Sequence, residues 1–110
     1  MKQTINTSPK VVEDCHELLE WMIPKLDQFP RNRRFTLGER LENGLLIVLE
    51  NLIAAAYQKS NVDLLKTANL QLDLVRHLWR LAHGLKAISL ESYGNGSQRL
   101  TELGRQIGDW

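Results

Sequence analysis

Cys15 and His16 are adjacent in the stretch "EDCH", and a thiol beside an imidazole is the pairing that can activate a cysteine nucleophile. On a helix, however, neighbouring side chains diverge by ~100°, so these two cannot face each other. Cys15 also falls on an apolar stripe, which points to a buried, inert thiol. Glu13 to His16 supplies one Glu-x-x-His motif, whereas a di-metal helical bundle requires two. His77 and His83 would point about 120° apart on a helix and cannot share a metal. The sequence contains neither an HExxH motif nor a glycine-rich phosphate loop. Lacking a matched nucleophile, base or metal set, the chain is read as a non-enzyme with no catalytic residues, metal or cofactor.

Arginine is the remaining side chain with chemistry to offer. Arg31, Arg33 and Arg34 cluster in "FPRNRR", and Arg40 follows shortly after. Arg76, Arg80 and His83 would lie within about 60° of one another on a helix, with Asp73 among them. Arg99 and Arg105 sit near the C-terminus. A planar guanidinium presents fixed, paired donors that suit phosphate or carboxylate. The candidate binding residues for nucleic acid or a protein partner are therefore Arg31, Arg33, Arg34, Arg40, Arg76, Arg80, His83 and Arg105. A structural alternative is that Arg76 and Arg80 pair with Glu42 or Glu50 of a neighbouring helix, or are simply solvated. The chain as a whole supplies no strong field, because 14 Lys and Arg balance 13 Asp and Glu.

The elements that must hold these residues are helical. Ser8 can cap a first helix with Pro9 at its first position, and Val12, Cys15, Leu19, Met22, Leu26 and Phe29 repeat at spacings of three and four. Pro24 should kink this helix or end it early. "FPRNRR" is read as a break, after which Thr36 and Glu39 have capping-box spacing. A second stripe follows through Leu41, Leu45, Val48, Leu52 and Ala55. A third helix is expected from about Val62 to Ile88. Leu74, Leu78, Leu81, Leu85 and Ile88 share one side of it, beside Leu65, Ala68, Leu72, Val75, Trp79 and Ala82. Together these cover roughly 200°, against the ~100° stripe of a helix that lines only its own core. Either the helix is central and covered by the others, or part of this face is a subunit interface. If Leu78 and Leu81 are core, a carboxylate at either should destabilise the fold. The last helix is expected to start at a Ser89 cap and to continue through Gly94 and Gly96, although both weaken it.

No useful β-like alternation occurs, so the fold class is all-α, an antiparallel up-down four-helix bundle. Residues 8–110 form the single expected domain, preceded by a flexible N-terminus at 1–7. One cysteine permits no internal disulfide, the N-terminus is polar, and no apolar run approaches the ~18 residues of a membrane span. A cytoplasmic protein with no membrane partner is expected.

The segments "LENLIAAAY", "LVRHLWRLA" and "LGRQIGDW" occur in that order within residues 34–110. In them the chain resembles the accessory variability determinant (Avd) family of diversity-generating retroelements. That family is close to the four-helix-bundle proteins encoded by intervening sequences in bacterial 23S rRNA genes. The resemblance implies a bundle that assembles into a pentameric barrel with a basic surface. It also implies a non-catalytic role in binding a reverse transcriptase and nucleic acid, RNA with DNA as a further candidate, for mutagenic cDNA synthesis. Arg76 and Arg80 match the arginines of an "LRxLxRLA"-like family motif and would face a barrel surface or brace it through buried carboxylates. The leucines of "LVRHLWRLAHGLK" would face the core and a neighbouring subunit. The chain departs from the basic members of the family, since residues 36–110 hold eight Lys and Arg and eight Asp and Glu. The alternative is an rRNA intervening-sequence-type bundle, a structural or protein-binding module that binds no nucleic acid.

Overall fold

The computed structural model describes residues 9–110. The expected flexible segment 1–7 and the candidate cap Ser8 lie outside the described residues. Four long helices carry the structure: α1 (Lys10–Asp27), α2 (Glu39–Ala56), α3 (Val62–Gly84) and α4 (Leu90–Asp109). Pro9 stands one step earlier than expected, at the cap of α1, where its carbonyl accepts from the amides of Val12 and Glu13 at 3.0 and 3.2 Å. α1 runs through Pro24 and ends three residues later. The carbonyl that Pro24 leaves without a partner belongs to Glu20; both residues are exposed, so water can satisfy it.

The basic segment is not the break that its composition suggests. The chain pauses only at Gln28–Pro30. The Pro30 carbonyl then accepts from the amides of Arg33 and Arg34 at 2.8 and 3.0 Å, starting a helical turn at Arg31–Arg33. Arg34–Gly38 widens into a π-helical turn that leads directly into α2. The backbone is already helical on reaching Thr36, so no free amide awaits a cap. The Thr36 hydroxyl instead donates backwards to the Arg33 carbonyl at 3.3 Å, and the expected capping box does not form.

At the other turn of this end, α3 closes in a Schellman arrangement. The Ala87 amide donates to the Ala82 carbonyl at 2.8 Å, and the Lys86 amide to the His83 carbonyl at 2.9 Å. Lys86 occupies the left-handed position there, with φ 63°, where glycine is the usual choice. Ser89 caps α4 as expected, its hydroxyl accepting from the Ser92 amide at 3.1 Å.

α4 passes unbroken through Gly94 and Gly96, and packing explains why Gly96 is there. A β-carbon on Gly96 would stand 2.6 Å from the Trp79 indole, so only glycine lets α4 lie against that ring. Gly44 does the same between α2 and α3, where a β-carbon would come within 2.7 Å of Val75.

Each helix lies beside its two neighbours around a square, with α1 and α4 completing it. The short connections make successive helices antiparallel, and the molecule measures 47 × 23 × 22 Å. The expected stripes of α1 and α2 are buried, from Val12 to Phe29 and from Leu41 to Ala55. Cys15 is fully buried among them, and burial pushes its thiol up to about 12, so it stays protonated and inert.

Trp79 is the centre of the packing. It is fully buried, meets Trp21 of α1 edge-on at 6.1 Å, and its indole N–H donates to the Tyr93 carbonyl at 3.0 Å.

α3 departs from expectation. Its core line is Ala68, Leu72, Val75, Trp79 and Ala82, all fully buried. Three of the leucines expected to face the core do not: Leu74, Leu81 and Leu85 are 48, 49 and 44% exposed, whereas Leu78 is half-buried and packs against the core from its edge. The other three helices cover only one side of α3. A carboxylate at Leu81 would therefore reach water instead of sitting unpaired in the core.

Candidate nucleic-acid and partner interface

α3 presents three surfaces, and only one of them faces the core. On its α2 side runs an apolar flank. Leu78, Leu81 and Leu85 meet Phe35 and Leu37 in a groove of about 720 Å³, with Arg33 and Arg40 at its edges. The π-helical turn makes this groove by burying Leu37 and Gly38 while leaving Phe35 64% exposed. Leu70 and Leu74 extend the apolar line along α3.

On its α4 side lies a polar flank. Arg76, His77 and Arg80 face Tyr93, Ser97 and Thr101 across a groove of about 270 Å³ floored by Leu100. Arg76 donates to Asp73 on its own helix at 3.1 Å. It does not pair with Glu42 or Glu50, nor does Arg80, and among the described residues no buried carboxylate exists to brace either. His83 is taken up in a stack on the Tyr93 ring, with centroids 4.6 Å apart and planes 14° from parallel.

The remaining sequence candidates divide by location. Arg31 is exposed on the lead-in turn, and Arg34 reaches Asp27 at 3.4 Å while lying 5.2 Å from the Phe35 ring centroid. Arg105 stands apart from all of these. It is clamped by Glu102 at 2.6 Å and Asp109 at 2.7 Å, and the Glu102 carboxylate beside it raises its pKa further. A guanidinium so engaged offers little to a new anion. Nearby, the Asp14 carboxyl is held below its ordinary value by hydrogen bonds from Lys10 and then Gln106, each at 2.6 Å. Arg99 lies over the Trp21 ring at 4.9 Å and donates to Asn95, a packing role.

Folding also sorts charge in a way the near-neutral total conceals. The half of the bundle holding the Arg31–Gly38 corner and the α3–α4 turn comprises residues 19–47 and 74–99. It carries nine Lys and Arg against five Asp and Glu. The opposite half, residues 10–18, 48–72 and 100–110, carries four against seven, with Asp73 at the middle. The groove at Phe35 opens on the basic half, and the α3–α4 groove straddles the boundary, its arginines in the basic half and its Leu100 and Thr101 in the other. Seven of the eight sequence candidates lie in the basic half; Arg105 does not.

Three features escaped the sequence. Phe35 gave no signal beyond one aromatic in a basic stretch. Ser97 and Thr101 become groove residues only because Gly96 lets α4 approach α3. The segregation of charge requires the antiparallel order of the helices. Among the described residues no three His, Cys, Asp or Glu gather as metal ligands would, and no helix is long and apolar enough to cross a membrane.

These observations define an antiparallel four-helix bundle whose third helix carries an apolar flank and a basic flank. Residues 10–110 match the family model described as bAvd-like, and the chain belongs to that family. The match takes in α1 as well, beyond the residues 34–110 on which the sequence resemblance rested. No curated protein and no solved structure matches the chain.

Proposed function

We propose that this protein is a non-catalytic accessory factor of a diversity-generating retroelement. It acts in the cytoplasm as an oligomeric adaptor that binds the element's reverse transcriptase and nucleic acid during mutagenic cDNA synthesis. The observation that carries this reading is the bAvd-like match over the whole described bundle. The two flanks of α3 support it physically. Half-exposed leucines along a helix lose water when a second copy covers them, at ~25 cal/mol per Å² of apolar surface. A homopentameric ring built on that flank would bring five basic halves to one rim, multiplying a field that a single chain supplies weakly.

The test is co-expression with a reverse transcriptase of a diversity-generating retroelement, taken from beside this gene where one is encoded there. The adaptor reading expects the two proteins to co-elute with RNA, and the bound RNA to be released steeply as salt rises, because phosphate contacts release counterions. A neighbouring template repeat would be the matching genomic sign. The balanced charge of residues 36–110 favours a second reading, a structural or protein-binding bundle of the rRNA intervening-sequence type. In that case a protein partner would be retained with little salt dependence and no RNA.

A further inference from the structure

We infer that the α3–α4 groove is a phosphodiester site for single-stranded RNA, with Arg76 and Arg80 as its phosphate donors and Ser97 and Thr101 as its hydroxyl wall. The inference rests on the adaptor reading and says where on the chain, and in what form, the nucleic acid is held.

The groove has the chemistry of an anion site. Two guanidinium groups and an imidazole line it, and no carboxylate does. Arg76 gives one N–H to Asp73, while the rest of its fork lies over Gly104. A β-carbon there would stand 3.5 Å from the Arg76 Nη2, an ordinary van der Waals contact, so the guanidinium lies directly beside the α4 backbone. Arg80 has no hydrogen bond or ion pair among the described residues, so its donors are open to a ligand. Facing them, the Ser97 and Thr101 hydroxyls can each donate to a phosphate oxygen or pair with a ribose 2′-hydroxyl.

Its size fits one strand. The groove is a shallow valley of about 270 Å³ between two helices in direct contact, which can seat a single sugar–phosphate strand and is too small to enclose a duplex. Arg76 and Arg80 are one turn apart on α3, so they meet successive positions along a strand laid in the groove. The wall opposite is fixed before binding: the Tyr93 ring is stacked on His83 and its carbonyl is held by the buried Trp79. A rigid wall lowers the ordering cost of binding. An acidic peptide is the weaker fit, because the apolar floor, Leu100, is fully buried and offers no pocket for an anchoring side chain.

The experiment is fluorescence anisotropy of the full chain with a labelled 12-nucleotide single-stranded RNA, across a salt series. Arg76→Gln with Arg80→Gln should weaken binding about ten-fold or more and reduce the slope of log K against log salt by about 1.4, the share of two phosphate contacts on a single strand. Ser97→Ala with Thr101→Ala should weaken binding a few-fold and leave the slope unchanged. Lys59→Gln, in the acidic half, should bind as wild type. In an amide NMR titration the RNA should shift Ser97 and Thr101. RNA binding that survives in a folded Arg76→Gln/Arg80→Gln protein would overturn the groove assignment and leave the adaptor reading standing. Unmoved Ser97 and Thr101 amides would do the same, even if the arginine variant failed to fold. Polyglutamate competing as well as RNA would also overturn it. A wild-type protein that bound no RNA would overturn both.

Discussion

The two flanks of α3 are built from one heptad-scale pattern and yet do opposite things. On the α2 side, Leu74, Leu78, Leu81 and Leu85 form an apolar line that the bundle leaves half-covered. On the α4 side, Arg76 and Arg80 border a polar groove whose wall is fixed by the Tyr93–His83 stack. Between them the buried line from Ala68 to Ala82 holds the fold. On this helix leucine alone does not mark the core: Leu72 is fully buried, whereas Leu74, Leu81 and Leu85 are not. The residues that anchor it are two alanines, Leu72, Val75 and Trp79, which are fully buried in the square, while Leu65 and Leu78 pack only at its edge.

The sharpest way to break this account is to put the same charge on both lines. Leu72→Asp should unfold the protein, since a fully buried carboxylate without a partner costs more than about 4 kcal/mol. Leu81→Asp should cost less than about 1 kcal/mol of chain stability while lowering the assembled mass, read by thermal denaturation and light scattering together. Equal loss of stability in both variants would return Leu81 to the core.

The glycines separate the flanks next. Gly96→Ala should cost about 1–3 kcal/mol, because the new β-carbon would stand 2.6 Å from the Trp79 ring, which must move. It should also weaken RNA binding more than self-association, since it pushes α4 away from the polar groove. Gly44→Ala presses on Val75 from the other side, and should disturb self-association more than RNA binding.

A smaller effect should spare both flanks. Lys86→Gly removes a left-handed lysine and should raise stability by about 1 kcal/mol, visible as a higher Tm with both binding activities intact.

The smallest effect lies in the acidic half. The Asp14 carboxyl is held below its ordinary value in the folded state, so its contribution is present above the unfolded pKa and is lost as pH falls through the lower folded one. Asp14→Asn should therefore lower stability slightly at neutral pH, and the difference from wild type should fade as pH falls below about 4. RNA binding at neutral pH should not respond to it.

Much of the fold was legible because local periodicity carries it. The α1 and α2 stripes, the Ser89 cap and the buried thiol of Cys15 all follow from residue type and spacing. What could not be read depends on neighbours. A helical wheel showed roughly 200° of apolar surface on α3 but not which part the other helices cover. Gly96 looked like a weakness in α4 until the Trp79 ring filled the space it leaves. "FPRNRR" looked like a break because its composition is polar, whereas Pro30 in fact starts the turn that carries Arg31, Arg33 and Arg34 into α2. The candidate site was legible as residue types and not as a place. Balanced charge along the chain becomes a basic half and an acidic half only when antiparallel helices bring distant segments together, leaving Arg105 with its carboxylates in the acidic half.

The most direct test is the solution mass of the wild-type chain beside that of Leu81→Asp, by light scattering at low and high salt. The adaptor built on the apolar flank of α3 requires a wild-type mass of about five times 12.7 kDa and a folded variant of lower mass. A wild-type protein that remains at 12.7 kDa in both salts would mean that the leucine flank does not join copies of this chain, and the ring that concentrates its basic half would have no basis.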